Sequence, residues 1–304
     1  MNILVIGGNG FIGSHLVDHL LLNGHRVRVF DIYHERYRTP LMNVDYRISS
    51  LENIPDLYEA LLGIDIIFHL ATSSVPSTSN IDTISDINRN VMPTLNIINM
   101  AVKLGIKRIV YFSSGGAVYG NPLSNLIPED HPIKPISSYG IIKATIENYL
   151  YLYQRMYDIH PLILRPSNPY GPRQGHHMAQ GVISTFLRQI KKNETITVYG
   201  DGNSTKDYIY IKDLIKQCYE LSISSEVGAF NIGSGVGTTV NQIIELIKKI
   251  TKSNFNTQYE ESKIYDVNHF VLDVSKANDI IGTYQTISLD DGISEVWKWI
   301  KTNE

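Results

Sequence analysis

The sequence holds a single cysteine, Cys218, so no disulfide can form within the chain, and a reducing compartment is expected. It has no apolar run near the roughly eighteen residues that a membrane crossing needs, and no positively charged leader with a cleavage site. Internal repeats and low-complexity tracts are missing too. Neither sign of charge dominates: 27 Lys and Arg stand against 30 Asp and Glu, a formal net charge of -3. That balance argues against nucleic acid or an acidic membrane as a partner, and no metal site is expected. These absences leave a cytoplasmic, globular protein whose 43% hydrophobic content suffices for one large core or two small ones.

What the chain does have is a regular alternation. Short apolar runs at residues 3–6, 27–30, 64–68, 109–112 and 162–164 have the length of buried parallel strands. Between them, residues 11–22, 51–62, 86–104 and 138–157 carry apolar side chains at three- and four-residue steps, the helical period. Strand and helix in turn imply the α/β class, a Rossmann-type doubly wound parallel sheet with helices on both faces. After about residue 170 the pattern breaks up, with helices expected at 182–191, 212–222 and 240–250 and strands at 197–199, 208–211 and 229–232. These pieces suggest a smaller C-terminal α/β region. Ligands of doubly wound sheets bind beyond the carboxyl ends of the strands, where strand order switches, and the motifs of this chain fall at such ends.

The run Gly7-Gly8-Asn9-Gly10-Phe11-Ile12-Gly13 directly follows the first strand and opens the first helix. Its glycines allow a tight turn, close approach of a pyrophosphate and close helix packing, so Gly7, Asn9, Gly10, Phe11, Ile12 and Gly13 read as a dinucleotide cradle. Asp31 ends the second strand, where a carboxylate accepts bonds from both ribose hydroxyls and repels a 2'-phosphate; NAD is favoured. Arg36 and Arg38 nearby keep NADP open. Residues 1–170 are thus expected to form an NAD-binding domain, with room for later strands, and residues 171–304 a mainly substrate-binding cap. Tyr139 lies four residues before Lys143, which puts both on one helical face. The ammonium is expected to lower the phenol's pKa and make it a proton acceptor.

With these pieces the chain resembles the extended short-chain dehydrogenase/reductases, in particular the nucleotide-sugar epimerase/dehydratase group that includes UDP-glucose 4-epimerases. The resemblance runs almost end to end. It rests on the glycine loop, His69-Leu70-Ala71, Asn90-Val91, Val118-Tyr119-Gly120, Tyr139 to Lys143, residues 164–174 (LRPSNPYGPRQ), Val198-Tyr199-Gly200-Asp201-Gly202 and Lys206-Asp207-Tyr208-Ile209. It implies a sugar carbon oxidised and re-reduced on its opposite face by NAD, giving the C4 epimer of a UDP-sugar. By the same resemblance Tyr139 is the base, Lys143 binds the nicotinamide ribose, Asn90 lies near the nicotinamide, and Leu70 and Ala71 contact cofactor through their backbone. Asn168 would hold the diphosphate, Tyr199 would stack on uracil or else pack as a strand aromatic, and Asp266 would contact the nucleotide ribose. A homodimer formed by two helices of each subunit, residues 86–104 and 138–157, is also implied.

The chain departs from that group in places. A serine or threonine is usual three residues before Val118, where this chain has Gly115; of the nearest hydroxyls, Ser113 and Ser114, Ser114 is the candidate catalytic residue. Two diphosphate-gripping arginines are replaced by Lys206 and Lys263, which keep the charge and lose the bidentate fork. The Asp-Glu pair of related 4,6-dehydratases is Gly116-Ala117 here, which speaks against dehydration. Phe270 stands where the group sets access for an N-acetyl group, so a ring there favours UDP-glucose and UDP-galactose, unless it is simply core. A sugar-nucleotide reductase using NAD(P)H and a catalytically impaired NAD-binding scaffold remain the alternatives.

Overall fold

The computed structural model describes residues 1–76, 78–175, 181–262, 267–283 and 285–304. The strands are β1 (Asn2–Ile6), β2 (Arg26–Asp31), β3 (Val44–Ile48), β4 (Ile66–His69), β5 (Arg108–Phe112), β6 (His160–Pro166), β7 (Asn168–Tyr170), β8 (Ile196–Tyr199), β9 (Thr205–Tyr210), β10 (Gly228–Ile232), β11 (Gly237–Thr239), β12 (Thr257–Glu260) and β13 (His269–Phe270). The helices are α1 (Phe11–Leu22), α2 (Ile54–Leu61), α3 (Thr83–Leu104), α4 (Gly115–Val118), α5 (Ser138–Met156), α6 (Val182–Lys191), α7 (Ile211–Ile223), α8 (Val240–Thr251), α9 (Ser275–Ile281) and α10 (Leu289–Asn303).

The chain divides into two compact units. One comprises Met1–Gly120, Ile133–Arg165 and Ile215–Phe230; the other comprises Asn121–Pro132, Pro166–Leu214 and Asn231–Glu304. Each unit draws on several stretches of chain.

A seven-stranded sheet runs in the order β10-β6-β5-β4-β1-β2-β3, and its pairs from β6 to β3 are parallel. This is the Rossmann-type arrangement that the alternation implies. Ile3, Leu4, Val5 and Ile6 are at most 1% exposed, because a strand covered by helices on both faces has no outward side for polar residues. The order reverses at β1, whose chain leaves toward β2 on one side while β4 pairs on the other. That switch opens a crevice beyond the carboxyl ends of β1 and β4. Local signals set the flanking helices. Asp82 caps α3 by accepting from Ser85 N at 3.0 Å, Gly105 ends it at φ 71°, and Ser137 caps α5 by accepting from Gly140 N at 3.2 Å.

In the second unit β9 is the hub. It pairs antiparallel with β11 and parallel with β13 and β7, while β8 and β12 form a separate parallel pair. The strand expected at 229–232 is β10 and joins the central sheet. Helices α6 and α10 are tied by Lys191 Nζ donating to Ile300 O at 2.9 Å and by the Arg188–Glu304 ion pair at 2.6 Å. Among the described residues no helix is long and apolar enough to cross a membrane, and no group of three or more His, Cys, Asp or Glu is placed to hold a metal ion.

Candidate active site

The glycine loop leaves β1 and passes under the chain that leaves β4. Gly7 takes φ 85°, and a Cβ there would meet the Ala71 amide nitrogen at 2.8 Å, so only glycine lets the two segments approach. Leu70 N and Ala71 N both donate to Ile6 O, at 2.9 and 3.1 Å, which holds them beside the loop. Helix α1 begins at Phe11 with no side-chain cap, so the amides of Phe11, Ile12 and Gly13 present the positive end of the helix to an anion. Asn9 Oδ1 is buried without a partner. Asp31 accepts from Asn9 N and Tyr33 N, each at 3.0 Å, and burial pushes its carboxyl up against those bonds. An uncapped helix start, an orphaned acceptor and a carboxylate at the strand end fit a dinucleotide. Arg38 is held by Asp18 and Glu35 and Arg36 lies 3.5 Å over the Tyr33 ring, so both arginines are engaged within the protein.

Tyr139 and Lys143 lie one turn apart on α5, at its N-terminal end. That end packs closely on α4, since a Cβ at Gly140 would collide with the Ala117 carbonyl. The close fit brings Ser114, the residue preceding α4, into a side-chain hydrogen bond with the Tyr139 hydroxyl. Ser113 is spent elsewhere, on Glu147, so of the two candidate hydroxyls Ser114 is the one beside the phenol. Both Tyr139 and Ser114 keep accessible surface, whereas Lys143 is 3% exposed and donates to Phe112 O at 2.7 Å. Its Nζ lies 4.8 Å from the Tyr111 ring centroid and 5.6 Å from that of Tyr139. One turn further along α5, Glu147 forms a buried ion pair with Arg165 at 2.6 Å, and Arg165 also donates to Tyr119 at 2.8 Å. Every charge in this core is thus partnered, the condition for burying it.

The titration behaviour corrects the expectation of an acidic phenol. Burial pushes Tyr139 up to about 12; the Ser114 hydrogen bond opposes this and the charge of Asp86 adds to it. Burial pulls Lys143 down to about 8, opposed by Glu147. Desolvation is the largest effect on both groups. His69, at the end of β4, is held neutral by burial, at about 3, with Lys143 acting in the same direction. Its Nε2 meets Thr94 Oγ1 at 2.8 Å while Nδ1 has no partner.

Asn90 is fully occupied. Its amide nitrogen donates to Asp86 Oδ1 and Ser73 Oγ, each at 2.8 Å, and its oxygen accepts from Ser73 N at 2.9 Å. The residue expected near a nicotinamide therefore braces the loop after β4. Asp86, Ser138 and Asn80 complete this bracing and were missed from sequence, although Asp86 stands one helical turn before Asn90.

In the second unit a cavity of about 530 Å³ is lined by Asn168, Tyr199 and Lys206, together with Phe186, Val198 and Tyr208. Its size suits a small-molecule site. Asn168 Nδ2 donates to Asp207 O at 2.9 Å, Lys206 Nζ to Val267 O, and the Tyr199 ring is 42% exposed. Three of the expected substrate residues are thus brought together. Phe270 is not: it is 2% exposed, lies in register with Lys206 across β13 and β9, and does not line the cavity. Lys263 and Asp266 fall outside the described residues.

Comparison with known proteins agrees with this geometry. Residues 3–233 match the NAD dependent epimerase/dehydratase family. Over 308 residues the chain is 36% identical to a Methanocaldococcus jannaschii protein provisionally named UDP-glucose 4-epimerase, with 99% of each covered. It superposes on the Thermotoga maritima UDP-glucose 4-epimerase solved with UDP-glucose with a TM-score of 0.94, at 33% identity over 99% of both chains. For the Thermus thermophilus UDP-glucose 4-epimerase solved with NAD the values are 0.92, 28% and 99% of both chains. The similarity extends to other chemistry: the chain is 32% identical to dTDP-4-dehydro-6-deoxyglucose reductase of Escherichia coli over 98% of its length and 97% of that protein. It is 30% identical to UDP-glucuronic acid decarboxylase 2 of Arabidopsis thaliana over 96% of its length and 66% of that protein.

Proposed function

This chain belongs to the NAD dependent epimerase/dehydratase family, and we propose that within it the protein is a UDP-sugar 4-epimerase favouring UDP-glucose and UDP-galactose. The observation that carries the reading is Tyr139, a partly exposed residue whose hydroxyl is bonded to Ser114, one helical turn from the buried Lys143, in the unit that bears the dinucleotide cradle. Bound NAD would supply reversible two-electron redox capacity at the sugar's C4. The chain's own residues handle the proton. In its phenolate form Tyr139 takes it from the C4 hydroxyl and returns it to the same oxygen after the keto sugar has turned. Ser114 bonds to both oxygens and keeps them in line. Lys143 holds a largely protonated ammonium at neutral pH, since its pKa is about 8.

The Asn168, Tyr199 and Lys206 cavity is read as the holder of the nucleotide diphosphate, with the lysine for phosphate charge and the exposed ring for the base. Gly116 and Ala117 offer no acid or base for elimination, which supports epimerisation over dehydration. A homodimer through α3 and α5 is part of the same reading. It is supported by exposed apolar side chains on both helices, Ile84, Ile87 and Met92 on one and Leu152 and Met156 on the other. Sedimentation at micromolar concentration showing only monomer would refute it.

The test is incubation with UDP-, dTDP- and GDP-sugars with no added reductant, followed by chromatography. The reading requires UDP-galactose and UDP-glucose to interconvert. Turnover only with added NAD(P)H would make the protein a reductase, and bound NAD without any product would make it a non-catalytic binder.

A further inference from the structure

Asp86 is 5% exposed in the first turn of α3, where a carboxylate is costly unless its oxygens are satisfied. One oxygen accepts from Ser138 Oγ at 2.9 Å and the other from Asn90 Nδ2 at 2.8 Å. Both partners are neutral. An amide of the same shape would make two bonds there without the cost of desolvating a charge, so hydrogen bonding alone gives no reason for a carboxylate. The position gives one. Ser138 directly precedes Tyr139, and its amide nitrogen donates to Asn80 Oδ1 at 2.8 Å. Asn90 in turn grips Ser73. Asp86 is therefore the joint where the start of α5 meets Ser73 and Asn80, which follow β4 in the chain.

We propose that Asp86 is a positioning residue for the Tyr139 chemistry: it ties the helix start that carries the phenol to the loop after β4 and places a carboxylate against that helix start. The inference rests on the reading of Tyr139 as the proton-handling group. The groups that face Tyr139 are Asp86 from α3, Ser114 before α4, Tyr111 from β5 and Lys143 on α5, with Glu147 and His69 bearing on it through Lys143. Lys143 donates to Phe112 O, and the charge of Asp86 acts on Tyr139 to raise its pKa. Its charge holds the proton on the phenol at rest and makes the phenolate, once formed, a stronger base.

Three variants of the NAD-loaded protein separate the tie from the charge. Asp86→Asn keeps the shape and removes the charge, Asp86→Ala removes both, and Ser138→Ala removes the tie and keeps the charge. The first readout is phenolate absorbance against pH, taken as the difference between each protein and its Tyr139→Phe counterpart; it needs no sugar. The second is the pH profile of kcat and KM with UDP-galactose. Asp86→Asn is expected to move the phenolate titration and the rising limb of kcat to lower pH. Ser138→Ala is expected to leave the titration in place and lower kcat by about tenfold with KM unchanged, and Asp86→Ala to show both effects. A titration unmoved in Asp86→Asn overturns the proposal, as does unchanged kcat in Ser138→Ala. If no sugar is turned over by the unaltered protein, the proposed function fails, and the titration still decides whether Asp86 governs Tyr139.

Discussion

The Tyr139 cluster of the first unit and the cavity of the second are built on opposite plans. The cluster stands on the long helices α3 and α5, and its buried polar groups are bonded to one another: Asp86 to Ser138 and Asn90, Ser113 to Glu147, Glu147 to Arg165. The cavity stands on short ones. Asn168 opens a three-residue strand, and Lys206 is on a strand whose neighbours β7, β11 and β13 have three residues or fewer. A preorganised network suits proton transfer, where displacement of an ångström is costly. A pocket on short strands suits holding a flexible nucleotide, where affinity is spread over several contacts. If this contrast holds, a change in the cluster alters rate or stability, and a change in the cavity alters affinity or choice of sugar.

The largest break is Tyr139→Phe, which deletes the proton acceptor and nothing else. It is expected to lower kcat by about a thousandfold while UDP binding, measured by calorimetry, stays as before. The next concerns stability. His69 is neutral in the folded protein, with a pKa of about 3 against 6.5 unfolded, so the unfolded chain binds its proton first. That contribution is present above pH 6.5 and is lost as pH falls toward 3. His69→Gln is therefore expected to lose about 3 kcal/mol less stability than the unaltered protein between pH 7 and pH 4, by urea unfolding. An equal acid loss in both would show the histidine to be unimportant there. On the cavity side, Lys206→Met is expected to weaken UDP binding by about tenfold with a smaller change in kcat; the reverse pattern would erase the contrast. The smallest effect is expected at Phe270. Because the ring packs away from the cavity, Phe270→Val should leave the activity on N-acetylated UDP-sugars relative to UDP-galactose unchanged, and a rise of a few fold would make the ring a gate for the sugar.

The same contrast governs what the sequence made legible. The sheet of the first unit was readable because strands covered on both faces need continuous apolar runs. Its exception, β3, has the sequence Val-Asp-Tyr-Arg-Ile and lies at the sheet edge, where one neighbour and solvent allow charged residues. Helices α1 and α6 were found at their observed bounds from periodicity. By contrast, β7, β11 and β13 are too short to show any period, and pairing across distant sequence creates them. Helix α10 was missed although Ser288 caps it and Asp290 and Asp291 fill its first turn, signals that were there to be used.

Within the site, residue types and spacing revealed Tyr139, Lys143 and the glycine loop, because each depends on neighbours a few positions away. Ser114 could be separated from Ser113 only by seeing that Ser113 is taken by Glu147. The direction of the Tyr139 shift was misread for a related reason. Spacing shows that Lys143 is near, but it does not show that both groups are desolvated and that the ammonium is turned to Phe112 O. Phe270 likewise had a place in the sequence and no surroundings, and only the fold shows it packed away from the cavity.

The central claim is that the Tyr139 hydroxyl moves the proton in an internally balanced inversion at C4. Its most direct measurement is UDP-galactose incubated with the NAD-loaded protein and with the Tyr139→Phe variant, without reductant, with the UDP-glucose formed followed by chromatography. The account predicts interconversion by the unaltered protein and about a thousandfold less by the variant. UDP-glucose formed equally fast by both would contradict it.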